Sequence, residues 1–257
     1  MLQNSKIKQI VKLRQHHERW RFGCFIIEGY RELSLAIASG VKIINLFLCP
    51  TLIKNKELLI NINQEIITEV SEKDFIKMSC RENPDGFLAE AEMKEHKLAE
   101  VKLSENPLIV IVEAIEKPGN LGAILRSADA SGVDVVIVSA KTDIYNPNVI
   151  RASQGAVFTK QIAIADFGEI SAWLKEKKIK IFATTSKATK IYSQVNFCQP
   201  VAIVMGAEDV GLSHKWLNSA DEKIKIPMQG QISSLNVSVS AAIIIFEVLR
   251  QRDSLKV

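Results

Sequence analysis

VAIVMGAEDVG, residues 201–211, is the stretch that decides the fold, because a β-branched apolar run ends there in a polar loop bounded by two glycines. Two further polar clusters, residues 120–126 and 233–239, follow the apolar runs 108–115 and 224–228. Ligands of open α/β folds bind at the carboxyl ends of the strands. Three clusters of this kind in one half of the chain therefore predict one composite site.

Around these clusters, apolar runs alternate with helical patterns, which is typical of a parallel sheet buried on both faces. The predicted strands are residues 108–115, 133–140, 179–184, 201–206 and 224–228. The predicted helices are residues 121–131, 167–177 and 236–252. The pattern alone favours a doubly wound nucleotide-binding domain with an unknotted path, because knots are almost absent from proteins.

Four familiar chemistries do not fit the clusters. The loop between Gly206 and Gly211 is followed by leucine and serine, so it lacks the lysine of a phosphate-binding P-loop. The turn at residues 119–122 lacks the third glycine of the dinucleotide fingerprint. The four histidines share no cluster, so we expect neither a metal centre nor a Ser-His hydrolase.

Together the clusters resemble the three motifs of the SpoU/TrmH family of RNA ribose 2′-O-methyltransferases, a SPOUT class that uses S-adenosylmethionine. The matching segments are residues 116–130, 204–212 and 226–239. The resemblance implies an α/β domain whose last helix is threaded through a loop as a deep trefoil knot, which replaces the unknotted path. It also implies a homodimer through the C-terminal domain. The final helix, residues 236–252, carries more apolar residues than one buried stripe needs, as such a contact requires.

The first part of the chain predicts a smaller α/β domain, with strands at 25–27 and 43–49 around a helix at 29–40. Residues 27–50 resemble the L30e-like substrate-binding domain that precedes the catalytic domain in many SpoU enzymes; a generic α/β module is the alternative. The expected organisation is a basic N-terminal helix over 1–21, an L30e-like RNA-binding domain over 22–96, a linker over 97–106 and a SpoU methyltransferase domain over 107–257.

Positive charge is concentrated at the N-terminus. Residues 1–21 contain six Lys and Arg side chains and one acidic residue, so the rest of the chain, whose total is +4, is slightly negative. A basic amphipathic helix attracts a polyanion by counterion release, although a solvated surface helix has the same pattern. An RNA substrate favours the first interpretation, and the expected RNA-binding residues are Lys8, Lys12, Arg14, Arg31 and Arg151.

Composition narrows the class of protein. The chain has 257 residues and 47% hydrophobic residues, which suits two globular domains. It contains no apolar run long enough to span a membrane and no signal-peptide pattern, so we expect a cytoplasmic protein without a membrane partner. The four cysteines are widely spaced and are expected to be buried free thiols, and no metal is expected.

The resemblance assigns catalytic roles to Asn120, Arg126, Glu208, Ser234 and Asn236. Arg126 follows Asn120 by a turn or so of one helix, so we expect both to face the same pocket. In the family the matching arginine acts on the 2′-hydroxyl, but a free guanidinium is a poor base. Arg126 is therefore either strongly perturbed or an orienting group. Ser234 and Asn236 have helix capping as an alternative or additional role.

The same resemblance assigns cofactor binding to Thr184, Met205, Gly206, Ile226, Met228 and Leu235. The leading interpretation is an S-adenosylmethionine-dependent methyltransferase that acts on ribosomal RNA, because the N-terminal domain resembles that of rRNA enzymes. A tRNA methyltransferase and a non-catalytic RNA-binding or ribosome-assembly protein are the alternatives. A non-catalytic binder would not need Arg126 and Glu208 together, so the sequence favours an enzyme.

Overall fold

The structure is a computed structural model that describes residues 3–55, 57, 62–139 and 142–254. The chain divides into two compact units. The first contains Met1–Glu95 together with Asp143–Thr159, and the second contains His96–Thr142 and Lys160–Val257.

The first unit is built on a four-stranded mixed sheet. In chain order it contains α1 (Asn4–Lys12), α2 (His16–Phe22), β1 (Cys24–Glu28), α3 (Tyr30–Ala38), β2 (Ile43–Leu48), β3 (Ile67–Glu69), α4 (Glu72–Met78) and β4 (Phe87–Glu92). The strand order is β1-β4-β2-β3, with β4 antiparallel to both of its neighbours and β2 parallel to β3. The predicted elements at 25–27, 29–40 and 43–49 are confirmed as β1, α3 and β2.

The basic N-terminal segment is two helices, which corrects the single helix predicted over residues 1–21. The chain leaves α1 in a tight turn at Leu13, and extended Gln15 begins α2. Ile7, Ile10 and Leu13 are buried in the core of the first unit, so α1 is part of that core. The segment is therefore an integral part of the first unit.

A segment from the middle of the chain completes the first unit. Residues 143–159 form α6 (Pro147–Ala152) and α7 (Ala156–Thr159). The Tyr145 ring packs on Phe25 with 4.4 Å between the ring centroids, and buried Arg19 forms an ion pair with Asp143. Gly155 has φ 86°, and a Cβ there would lie 2.8 Å from Leu35 Cδ1, so glycine is required where the segment meets α3.

The second unit is a seven-stranded parallel sheet with strand order β7-β6-β5-β10-β8-β11-β9. Its strands are β5 (Leu108–Val112), β6 (Val135–Ser139), β7 (Gln161–Ala165), β8 (Lys180–Thr184), β9 (Lys190–Ile191), β10 (Val201–Met205) and β11 (Glu222–Lys225). Its helices are α5 (Pro118–Ala130), α8 (Phe167–Glu176), α9 (His214–Ser219) and α10 (Val237–Asp253). The α/β class and most predicted elements are confirmed.

Several boundaries differ from the sequence predictions for local reasons. The strand predicted over 224–228 is β11, which ends at Lys225, because Pro227 has no backbone N–H to pair. Helix α5 begins three residues before its predicted start, because Pro118 suits the first turn of a helix. The stretch predicted as a linker, residues 97–106, packs Leu98, Val101 and Leu103 against the core of the second unit.

The cysteines are free thiols, as predicted, but only Cys24 and Cys49 are fully buried; Cys80 and Cys198 are half-buried. Burial raises the pKa of Cys24 to about 12, so this thiol is protonated at neutral pH. Among the residues that the structure describes, every helix is too short or too polar to cross a bilayer. The same residues include no group of three or more His, Cys, Asp or Glu side chains that could hold a metal ion.

Candidate active site

A cleft of about 540 Å³ lies at the carboxyl ends of β8, β10 and β11, a size within the range of about 300–1,000 Å³ usual for small-molecule sites. The segments 184–187, 205–212 and 233–235 line it. All residues expected to bind the cofactor lie along this cleft: Thr184, Met205, Gly206, Ile226, Met228 and Leu235. Glu208 and Ser234 line it as well. Motifs two and three therefore converge on one cavity.

The loop after β10 closes on itself and fixes the position of Glu208. The Gly211 amide donates to the Ala207 carbonyl oxygen at 3.0 Å. A Cβ at Gly206 would lie 2.4 Å from the Gly211 carbonyl carbon and 2.5 Å from Leu212 N, so only glycine fits there. Gly211 has φ 68°, a left-handed conformation that glycine adopts without strain.

Glu208 joins the cleft to the first and third motifs through a hydrogen-bonded network. Its Oε1 accepts hydrogen bonds from Asn120 Nδ2 at 2.9 Å and from Asn236 Nδ2 at 2.7 Å. Asn236 Nδ2 also donates to Asn120 Oδ1 at 3.1 Å. Lys117 Nζ donates to the other carboxylate oxygen of Glu208 at 2.6 Å. One carboxylate thus fixes one residue from each of the other two motifs.

The network has a defined charge state. The Lys117 ammonium, and next the Asn120 amide, hold the pKa of Glu208 below its ordinary value, while Glu208 raises the pKa of Lys117. Since hydrogen bonds to the ionised form favour ionisation, Glu208 is a carboxylate and Lys117 an ammonium at neutral pH. A carboxylate with a lowered pKa is a weak proton acceptor. Glu208 is therefore suited to orient Asn120 and Asn236.

Asn236 also begins the final helix. Its Oδ1 accepts hydrogen bonds from Ser238 N at 3.0 Å, from Ser238 Oγ at 2.6 Å and from Val239 N at 3.4 Å. The N-cap of α10 is therefore Asn236, and Ser234, which was considered for that role, lies two residues before it on the cleft. The amide of Asn236 serves the helix with its oxygen and the network with its nitrogen.

Arg126 does not join the network, which corrects the expectation that it shares a face with Asn120. Six residues are one and two-thirds helical turns, so the two side chains point about 120° apart. The Arg126 side chain is exposed on α5 and forms no hydrogen bond or ion pair with any other described residue. It also does not line the cleft. The site of this chain is thus a cofactor-sized cleft, a polar network at its edge and a separate exposed arginine.

The cleft residues fit a cofactor that combines a purine with a cationic amino-acid part. Ile226, Leu235 and Leu217 supply apolar walls, and the close-packed loop at Gly206 brings backbone groups to the cavity. Glu208 and Asp209 add two carboxyl side chains to the same lining, which suits the positive sulfonium and ammonium groups of S-adenosylmethionine. The Thr184 hydroxyl is already used within the sheet, since it donates to the Val204 carbonyl oxygen at 2.8 Å.

The predicted RNA-binding residues all lie in the first unit and are all exposed. Arg14 is engaged in structure, because its guanidinium donates to the carbonyl oxygens of Lys77 at 2.8 Å and Ser79 at 2.7 Å. Lys8 and Lys12 form no ion pair with any residue in the described ranges. The other basic residues of the N-terminal segment are matched by acidic ones: Lys6 by Glu90, Arg19 by Asp143 and Arg21 by Glu18.

Two features of the structure were missed by reasoning from the sequence. Lys117 is absent from the predicted site residues. Its position just before the helix that begins with Pro118 is the signal that could have found it, because a side chain there lies close to the first helical turn and its partners. Trp20 was not singled out, yet it is the most exposed aromatic residue described in the chain. A tryptophan among the basic residues of an N-terminal segment is the signal that could have identified it.

A parallel sheet with a ligand cleft at the carboxyl ends of its strands is the arrangement in which open α/β proteins bind nucleotide-like cofactors. Residues 107–246 match the model of the SpoU rRNA Methylase family, and residues 4–89 match that of the MRM3-like substrate binding domain. Since the first match covers more than half of the chain, the protein belongs to the SpoU rRNA methylase family.

Relatives match over nearly the full length. The 23S rRNA (guanosine(2553)-2′-O)-methyltransferase RlmP of Bacillus subtilis is 28% identical over 255 residues, covering 95% of this chain and 96% of RlmP. The crystal structure of an RNA 2′-O ribose methyltransferase is 40% identical, with a TM-score of 0.86 and coverage of 97% and 96% of the two chains. The SpoU methyltransferase AviRb from Streptomyces viridochromogenes, crystallised with AdoMet, is 28% identical, with a TM-score of 0.88 and coverage of 98% and 99%.

Proposed function

We propose that this protein transfers the methyl group of S-adenosylmethionine to a ribose 2′-hydroxyl of ribosomal RNA. The observation that carries the proposal is the Asn120–Glu208–Asn236 network at the edge of a cofactor-sized cleft. Each of the three motifs that resemble those of the family contributes one residue to this network. Membership of the SpoU rRNA methylase family and similarity to a 23S rRNA 2′-O-methyltransferase support ribosomal RNA as the substrate.

The cleft holds the cofactor through backbone groups and apolar walls. Gly206 allows the loop to approach closely, and Ile226 and Leu235 enclose the purine. When bound, S-adenosylmethionine supplies an electrophilic methyl group, so the residues mainly have to bring the hydroxyl into line with it. Glu208, fixed by Lys117, orients Asn120 and Asn236 toward the substrate ribose. Ser234 lies beside them on the wall of the cleft, where its hydroxyl can hydrogen-bond the cofactor or the substrate ribose.

Arg126 contacts the ribose hydroxyl or its phosphate as a positively charged orienting group. The Arg126 side chain is exposed, and the planar fork of donors in a guanidinium suits a hydroxyl or a phosphate. Because it has no partner among the described residues, it is available to an incoming anion. The arginine therefore belongs to the substrate side of the reaction, whereas the cleft residues belong to the cofactor side.

Transfer of a radioactive methyl group from S-adenosylmethionine tests the proposal. We expect labelling of protein-free 23S rRNA in the presence of EDTA, because no metal ion takes part in the proposed reaction. Nuclease mapping should locate the label on a ribose 2′-oxygen, and the same nucleotide should lose its modification in cells that lack the gene. Labelling of tRNA but not of 23S rRNA would show that the substrate is tRNA and not ribosomal RNA. Calorimetry without any heat of cofactor binding, with or without RNA, would leave only a non-catalytic RNA-binding role.

We also propose a homodimer through the C-terminal domain, with α10 in the contact. One face of α10 is buried in its own unit, while Val239 and Phe246 are 47% and 49% exposed on another. A second apolar stripe on one helix is typical of an interface. Phe246→Asp should give a monomer in light scattering where the wild type gives a dimer, and Ile76→Asp, at an exposed position in the first unit, should not.

We also propose finer features of the architecture, which family membership supports. The α10 helix is threaded as a trefoil knot, the first unit is L30e-like, and the boundary between the two domains lies near residue 96. RNA contacts the first unit at Lys8, Lys12, Arg31 and Arg151, which are exposed cations. A cytoplasmic location is part of the proposal, and ribosomal RNA as the proposed substrate supports it.

A further inference from the structure

Helix α2 has an inverted distribution of side chains. Its buried residues are charged, with Glu18 8% and Arg19 1% exposed, while Trp20 is 63% and Phe22 40% exposed. A helix at the surface of a domain normally buries its apolar face, and tryptophan is buried to a high degree on average. A helix that exposes its tryptophan and buries its ions is therefore built to present an aromatic surface.

The Trp20 ring is held in place. Its Nε1 donates to His16 Nε2, one turn earlier, at 2.9 Å, and the two rings lie 6.1 Å apart with a 58° tilt. Helix α2, which carries Trp20, is anchored because Arg19 donates to the Leu13 carbonyl oxygen at 2.7 Å and forms an ion pair with Asp143. A fixed aromatic ring loses little conformational entropy when a ligand packs on it.

The charge of this segment indicates the class of ligand. Lys8 and Lys12 on α1 have no carboxylate within ion-pair distance in the part of the chain that the structure describes. The only acidic residue of α1 and α2, Glu18, is buried. An exposed ring in a positively charged segment suits an anion that also carries flat apolar groups. Single-stranded nucleic acid has both properties, since its phosphates meet cations and its unpaired bases stack on aromatic rings.

We propose that Trp20 is a stacking platform for an unpaired base of the RNA substrate. The inference rests on the proposed function for the identity of the RNA, but it concerns a contact in the first unit, which contains none of the cleft residues. His16 orients the indole, and Lys8 and Lys12 attract the phosphates of the same strand.

Intrinsic fluorescence measures this contact directly. The chain has three tryptophans, and the other two are less exposed than Trp20: Trp216 is buried, and Trp173 is partly buried against the core of the second unit. A single-stranded oligoadenylate of about 12 nucleotides should quench the exposed tryptophan, whereas a blunt duplex of the same length should not. Trp20→Ala should remove the quenching and weaken binding roughly 5- to 150-fold, the range for loss of one base–aromatic stack. Trp20→Phe should keep most of the affinity.

A matched control and an activity measurement separate the possible outcomes. Ile76→Ala removes another exposed apolar side chain of the first unit and should leave affinity unchanged. Trp20→Ala should raise the KM for 23S rRNA with little change in kcat, and the salt dependence of binding should keep its slope because stacking is not ionic. Unchanged KM and unchanged quenching would refute the platform even in an active enzyme. Loss of the dimer in Trp20→Ala would instead reveal a protein interface and overturn it. Absence of methylation by the wild type would refute the proposed function, whereas the quenching result would still decide whether Trp20 is a stacking platform.

Discussion

Replacing Lys8 and Lys12 by alanine should reduce the salt dependence of RNA binding. These are the two lysines of the N-terminal segment that have no acidic partner among the described residues. A lysine already paired with a carboxylate has less charge to offer a phosphate, so Lys6, Arg19 and Arg21 should contribute little. Arg14 is left unchanged in this experiment, because its guanidinium also holds the carbonyl oxygens of Lys77 and Ser79 in place.

The magnitude follows from counterion release. Each neutralised phosphate contributes about 0.9 to the slope of log K against log salt on a duplex and about 0.7 on a single strand. The double variant Lys8→Ala/Lys12→Ala should therefore have a slope smaller by about 1.4–1.8. Between about 50 and 200 mM salt, the wild type should lose affinity roughly 7- to 12-fold more than the variant. Fluorescence anisotropy with labelled rRNA fragments measures both slopes.

The matched control is Lys42→Ala/Lys77→Ala. It removes the same charge from the same unit, but each of these exposed lysines is already paired, with Glu92 and Asp74 respectively. We expect its slope to stay close to that of the wild type. Equal slope changes in the two double variants would show that only net charge matters. An unchanged slope in Lys8→Ala/Lys12→Ala would make α1 a solvated helix.

Deleting residues 1–21 would not test the same idea. The deletion removes Ile7, Ile10 and Leu13 from the core of the first unit, and each buried side chain of this kind stabilises by about 1.5–3 kcal/mol. The total is comparable with the whole stability of a typical protein, about 5–15 kcal/mol. Substitution of the surface lysines is therefore the appropriate experiment.

Three further variants probe the second unit. Arg126→Ala should lower kcat with little effect on S-adenosylmethionine affinity, because Arg126 lies outside the cleft; near-normal turnover would contradict its role. Gly206→Ala should abolish cofactor binding in calorimetry, because its Cβ would meet the Gly211 backbone at 2.4 Å; normal binding would mean that the loop is not needed. Lys117→Ala should raise the pKa of Glu208 towards its ordinary value, so that the carboxylate and its network are lost at a higher pH on acidification; NMR titration measures this, and an unchanged pKa would refute the assigned cause.

The cleft could be predicted because its residues are clustered in a few short segments of the sequence. The site follows three strands, β8, β10 and β11, which end at Thr184, Met205 and Lys225. These strands are neighbours in a parallel sheet, so their carboxyl ends meet at one edge. The apolar runs made the strands recognisable, and the glycines at 206 and 211 marked the loop. Local pattern and tertiary position agree in this part of the chain.

Side-chain pairing could not be predicted in the same way. Lys6 and Glu90, or Arg19 and Asp143, are far apart in sequence, and only the fold shows that they neutralise each other. The relation of Arg126 to Asn120 could have been worked out, since six residues on a helix do not align. The basic residues around Trp20 could have drawn attention to it, but the orientation of α2 could not be predicted, because it depends on the buried partners of Arg19.

The contribution of residues 143–159 to the first unit limits how such proteins can be recombined. In a chimera joined near residue 96, Phe25, Leu35 and Arg19 would come from this chain. The segment that packs on them would come from the other protein. The first unit is thus not a cassette that one crossover can transfer. Grafting it onto a relative requires two insertions, one before residue 96 and one in the middle of the recipient's methylase sequence.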